Sequence, residues 1–177
     1  MPENMLDSTV GATASGSTAG CRRGEWLLYL TAAFFLLAFG WYPGLCNVED
    51  RWAEAAREML LTGDWLHPAI NGQIYFDKPF LGYWLVAAAG TVLGGVHELA
   101  LRLPSMLAAL AGLWATVQLG KKMFGSGVAL SAGWILAGCY GFLYLGRSGE
   151  ADMENMAAIT LAVFWLYRCR EKAGFGA

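Results

Sequence analysis

Residues 103–122 read LPSMLAALAGLWATVQLGKK, which is 18 residues without a charge closed by two lysines. A run of this length is close to the roughly 20 apolar residues that cross a bilayer as a helix. Outward from it, further charge-free runs cover 26–46, 79–97, 123–146 and 155–167. The whole chain of 177 residues is 56% hydrophobic and 15% charged, where a soluble domain carries about 25% charge. Such a surface in water would expose large apolar patches. A net charge of −2 lacks the basic stripe of a nucleic-acid partner. The same hydrophobicity excludes an intrinsically disordered chain. These features predict an all-α polytopic membrane protein.

Basic residues set the expected topology. Arg22 and Arg23 precede the first run, Lys121 and Lys122 end the third, and Arg168, Arg170 and Lys172 follow the last. Cytoplasmic flanks carry the excess of Lys and Arg. All three clusters share one side if 26–46, 103–120, 124–146 and 153–168 span while 80–96 lies in the interface or re-enters. A fifth span at 80–96 would put the lysines on the side of the acidic loop. Residues 1–24, rich in Ser, Thr, Gly and Ala, predict a disordered cytoplasmic tail, ahead of a membrane module over 25–177. Trp41, Tyr42 and Pro43 stand where a signal peptide would need small residues, so the first run reads as a retained helix with an interfacial aromatic end.

The external loop, 47–79, changes character. It holds Glu49, Asp50, Glu54, Glu58, Asp64 and Asp77 against Arg51, Arg57 and Lys78. Asn47 is placed to cap a helix that Gly63 stops. Trp52, Ala56, Met59 and Leu60 recur at helical spacing, so that helix is amphipathic and suited to the membrane surface. Residues 64–79 mix Gly, Pro and aromatics and are expected to turn or extend. Arg147, Glu150 and Asp152 return to the same face. Ionisable groups beside a membrane often mark function, although a solvated charged face explains them too. His67 reads more simply as a solvated side chain than as a sugar ligand. The cysteines lie far apart, with no pair spaced for a metal or redox motif.

The order of residues adds a resemblance. Glu49-Asp50-Arg51-Trp52-Ala53-Glu54, Ala56-Arg57-Glu58-Met59-Leu60, Tyr75-Phe76-Asp77-Lys78-Pro79, Leu101-Arg102-Leu103-Pro104-Ser105, Gly146-Arg147 and Asp152-Met153 occur in sequence. From about Trp26 onward the chain resembles the polyprenyl-phosphate-dependent glycosyltransferases of the aminoarabinose-transferase and protein O-mannosyltransferase type. That resemblance implies a GT-C-type N-terminal helical bundle whose external loop carries short juxtamembrane helices. It implies an integral protein of the plasma (inner) membrane, active on the non-cytoplasmic face. There a sugar would move from a polyprenyl-phosphate donor to a lipid such as lipid A, a protein or a glycan.

The resemblance also implies roles. A carboxylate accepts or orients the acceptor's proton, and cations stabilise the departing phosphate. Lys78 and then Arg51 are the expected phosphate ligands, Tyr75 lines the lipid-phosphate site, and Arg147 is a further substrate-binding candidate. Asp152 matches the acidic residue of the second external loop, as a catalytic or acceptor-orienting group. Asp77 occupies the acidic position before the lysine, where a divalent metal is associated with some members. One departure stands out. The family's Asp-Glu-x-Arg motif puts Val48 at the catalytic carboxylate when counted back from Arg51, so a one-residue slip is expected to bring Glu49 or Asp50 into that role. A second departure is length, since family members continue through more spans, which makes a fragment of a longer enzyme the expected reading. The alternatives are a non-catalytic membrane module binding lipid-linked sugar and a small transporter subunit.

Overall fold

The computed structural model describes residues 7–40, 44–45 and 48–172, with side chains from residue 20 onward except 39 and 40. Seven helices and one short hairpin are described. They are α1 (Asp7–Gly40), α2 (Glu49–Thr62), β1 (Ala69–Ile70), β2 (Gln73–Ile74), α3 (Phe80–Leu93), α4 (Glu98–Phe124), α5 (Ser126–Gly138), α6 (Tyr140–Leu145) and α7 (Asp152–Lys172). The expectations for Trp41, Tyr42, Pro43 and Asn47, and for the chain before Asp7 and after Lys172, lie outside the described residues.

Two expectations change. Helix α1 begins at Asp7, inside the stretch expected to be a disordered tail; once the apolar segment is helical, each added residue gains a hydrogen bond without a new nucleation cost. The run 124–146 is divided at Cys139, whose extended backbone (φ −69°, ψ 127°) separates α5 from α6. Gly138 and Gly141 flank that break, and glycine is the weakest ordinary helix former.

Helices α1, α4, α5 and α7 form the bundle. Leu28, Ala32 and Leu36 of α1 bury against Met106, Ala109, Leu113 and Val117 of α4, with Ala129 of α5 and Met153 of α7. Small residues permit the close approach. A Cβ on Gly133 would lie 2.5 Å from Leu28 Cδ2 and 2.8 Å from Val117 Cγ2. Among the described helices, α4 is the one long and apolar enough to cross a membrane; its 27 residues extend about 40 Å at 1.5 Å per residue.

The two ends of the bundle differ. At one, Lys121 pairs with Glu25 and Lys122 with Glu171, so the basic clusters of α1, α4 and α7 meet. At the other, α2, the hairpin and α3 form a cap. The inner face of α2 carries Glu49, Trp52, Ala56 and Met59, three of the four residues of the expected stripe, with Leu60 half-buried beside them; the Trp52 ring packs against Tyr83 of α3 with ring centres 4.5 Å apart and planes tilted by 39°. Gly63 closes α2 in the left-handed conformation, its N–H donating to Met59 O. Val48, without a side-chain acceptor, holds the position before the first turn. Both ends of α3 lie at the cap end. A Cβ on Gly82 would meet Trp52 at 2.5 Å and Ala151 at 3.3 Å, while α4 starts four residues after α3's Gly94 cap.

Candidate functional site

The cap is fastened to the bundle by one buried ion pair. Glu49, 2% exposed, and Arg102, 4% exposed, face each other across 53 positions of sequence. Arg102 Nε donates to Glu49 Oε1 at 2.9 Å and Nη2 to Oε2 at 2.8 Å. Glu49 Oε1 also accepts from Gly149 N at 2.8 Å, and Arg102 Nη2 also donates to Gly44 O at 2.7 Å. Four segments are thereby joined: the loops before α2 and α7, α2 itself and α4. A bidentate, fully hydrogen-bonded geometry is what lets a pair tolerate such burial.

Beside this fastening lies an open cleft of about 510 Å³ lined by Val48, Arg51, Trp52, Tyr75, Asp77, Lys78, Pro79, Tyr83, Glu150, Ala151, Asp152 and Asn155. Three stretches distant in sequence build it. The first turn of α2 presents Arg51. The hairpin delivers the second stretch: Asn71 (φ 53°) and Gly72 (φ 74°) make the turn, an Asn-Gly pair suited to a two-residue loop with positive φ at both positions. Gly72 N donates to Glu58 Oε1 at 2.9 Å, and Tyr75 N to Pro68 O at 2.7 Å, which fixes where the Tyr75 ring leaves the strand. The third stretch is the loop before α7 and that helix's first turn, whose free N–H groups favour the carboxylate of Asp152.

Within the cleft, the Tyr75 hydroxyl donates to Asp77 Oδ2 at 2.9 Å. A hydrogen bond to Tyr75, and then the nearby charges of Asp50 and Asp77, hold the Arg51 guanidinium above its ordinary range, so it is a fixed cation. Lys78 is exposed and forms no ion pair among the described residues. Two cations, two phenols and three carboxylates therefore share one opening, which can hold an anion against Arg51 and Lys78 and a hydroxyl against Asp152 or Glu150.

The structure brings Arg51, Tyr75, Asp77, Lys78 and Asp152 together as the sequence suggested. It places the others elsewhere. Glu49 lies outside the cleft with both carboxylate oxygens engaged, and Asp50 lies outside it too, its Oδ1 accepting from Arg51 N at 2.9 Å. Val48 itself lines the wall. The physical reason is rotation, because each helical residue turns 100° and Glu49 falls on the face of Trp52 and Ala56. Arg147 also stays out of the cleft lining, its Nε donating to Leu143 O at 2.8 Å. Among the described residues no group of three or more His, Cys, Asp or Glu side chains could hold a metal, and no step here runs through one. Glu150 and Arg102 were visible in the sequence without a role. Arg102 carried a signal, as a cation one residue before the charge-free run 103–120.

A family model described as dolichyl-phosphate-mannose-protein mannosyltransferase matches residues 77–176, more than half the chain. An undecaprenyl phosphate-alpha-4-amino-4-deoxy-L-arabinose arabinosyl transferase of Pseudomonas paraeruginosa is 31% identical over 139 residues, covering 75% of this chain and 24% of that protein. The protein of the same description from Aeromonas hydrophila is 38% identical over 100 residues, covering 54% and 18%. The chain thus spans no more than about a quarter of the curated relatives' length. The crystal structure of ArnT from Cupriavidus metallidurans bound to undecaprenyl phosphate shares the fold, with a TM-score of 0.66 and 22% identity over 85% of this chain and 27% of that one. The apo crystal structure of the same protein has a TM-score of 0.66 at 21% identity.

Proposed function

This chain belongs to the dolichyl-phosphate-mannose-protein mannosyltransferase family, and from that premise we propose that its cleft receives the phosphate of a polyprenyl-phosphate-linked sugar. The chain contributes the cap and first helices of a GT-C-type glycosyltransferase of the plasma (inner) membrane. One observation carries this: Arg51, Tyr75, Lys78 and Asp152 converge in a single cleft from three separate stretches. The named lipid of the relatives, undecaprenyl phosphate, supplies the chemistry of the donor.

In the transfer, an acceptor oxygen attacks the anomeric carbon, the bond from that carbon to the phosphate oxygen breaks, and the phosphate leaves with the bonding electrons. Lys78 and Arg51 stabilise the charge that gathers there, more strongly in the transition state than before it. Tyr75 orients Arg51 and Asp77, and Asp152 orients the acceptor, a lipid, protein or glycan. The cleft opens to the non-cytoplasmic side, supported by the meeting of Lys121 and Lys122 with α1 and α7 at the opposite end. Helix α3, 14 residues long and so about 21 Å, lies along the interface rather than crossing. Exposed Trp26, Leu27, Leu30, Phe34 and Leu37 on α1 face lipid or further helices.

Val48 on the cleft wall favours a second reading, a module that binds lipid-linked sugar without transferring it. Both readings require phosphate recognition. Titration of undecaprenyl phosphate into the chain in lipid nanodiscs should show saturable binding that weakens as salt rises. An absence of binding at low salt contradicts the assignment.

A further inference from the structure

We propose that Glu150 supplies the carboxylate that the cleft lacks at Val48, and takes the acceptor's proton during transfer. This rests on the transferase reading above. Val48 lines the cleft, and an isopropyl group can accept no proton. Its acidic neighbours are committed elsewhere: Glu49 to Arg102 and Gly149, and Asp50 outside the cleft. Asp77 is tied to the Tyr75 hydroxyl.

Glu150 reaches the vacated position through the fastening itself. Gly149 N donates to Glu49 Oε1 at 2.8 Å, so the residue after Gly149 and the residue before Glu49 are brought to one wall, and both line the cleft. Glu150 is also held in place. Its carbonyl accepts from Ser105 Oγ at 3.2 Å, and its Oε1 accepts from Ser148 Oγ at 3.2 Å. Ser148 is 7% exposed, so this donor is itself fixed by packing. Oε2 makes no hydrogen bond among the described residues and is the oxygen available to the acceptor. A base whose geometry is set beforehand is what proton transfer needs.

The step balances without a further reagent. The acceptor oxygen bonds to the anomeric carbon while the carbon–oxygen bond to phosphate breaks. The electron pair goes to the polyprenyl phosphate beside Lys78 and Arg51. The acceptor's proton goes to Glu150 Oε2 and later to water.

The test measures release of undecaprenyl phosphate from its aminoarabinose-linked form, in native membranes carrying the full chain and containing acceptors, beside donor binding in nanodiscs. Glu150→Gln keeps the Ser148 hydrogen bond but cannot take a proton. It should slow release by roughly 100- to 10,000-fold and leave donor affinity unchanged. Val48→Asp in the Glu150→Gln background should restore release at least about tenfold, because a carboxylate returns to the same wall. Release by Glu150→Gln at the wild-type rate overturns the assignment alone, as does a loss of donor binding equal to the loss of release. Wild-type chain that binds donor but releases nothing overturns the transferase reading together with this assignment.

Discussion

Glu49 and Arg51 stand two residues apart at the start of α2, yet they belong to regions with opposite physics. Glu49 meets Arg102 in a site where both side chains are at most 5% exposed and every carboxylate oxygen accepts a hydrogen bond. Arg51 looks into an open cleft with Lys78, Tyr75 and Asp152. The buried pair is satisfied by the protein itself, so it holds the cap in place. In the exposed set Lys78 forms no ion pair among the described residues, so it can serve a ligand. A half-turn of helix separates a fastening from a binding surface, and charge alone does not tell them apart.

The comparison breaks most visibly if the two ends of the molecule share one side of the membrane. In a background without native cysteines, Asp64→Cys should react fully with an impermeant thiol reagent applied from outside. Lys122→Cys should stay protected until the membrane is opened. Labelling of position 122 from outside would place the cleft on the wrong face.

The next largest effect concerns the fastening. Arg102→Ala leaves the Glu49 carboxylate buried without its partner, at a cost of about 3–5 kcal/mol. Thermal unfolding in detergent should show a sharp loss of the folded state. Glu49→Leu combined with Arg102→Met should recover most of it, because an apolar pair of similar volume removes the uncompensated charge. An unchanged midpoint in Arg102→Ala would mean that the pair does not secure the cap.

Much of this division was legible in the sequence. Trp52, Ala56 and Met59 gave the inner face of α2, Gly63 its end, and residues 64–79 their turning character. Glu49 completes that same stripe at i, i+3 and i+7, so its burial was readable from spacing. Lys121 meets Glu25 and Lys122 meets Glu171, so the basic residues that the sequence marks at the ends of its apolar runs gather at one end of the bundle. Other features depend on tertiary partners. Arg102 finds Glu49 across 53 positions, and Gly149 N finds the same carboxylate across 100, pairings that no local pattern encodes. The break at Cys139 is a weaker case, since glycines near it were visible but glycine is frequent throughout this chain.

A smaller effect sharpens the account of how Tyr75 is placed. Gly72 adopts φ 74°, and a β-branched residue there is strained by roughly 1–2 kcal/mol. Gly72→Val should lower the unfolding midpoint slightly and weaken undecaprenyl phosphate binding, because the hairpin sets the position of Tyr75. Unaltered binding with a lowered midpoint would detach the hairpin from the site.

The central claim is that the cleft recognises a lipid-linked phosphate through Lys78. The most direct measurement compares undecaprenyl phosphate affinity in nanodiscs for wild type, Lys78→Ala, Lys78→Arg and the opposite-end control Lys122→Ala. Charge-assisted contacts of this kind contribute about 1.5–3 kcal/mol, so Lys78→Ala should bind roughly 10- to 100-fold more weakly. Lys78→Arg should recover only part of that, because a planar fork replaces a compact ammonium, and Lys122→Ala should bind as wild type does. Equal affinity in wild type and Lys78→Ala, with folded and inserted protein, would contradict the claim.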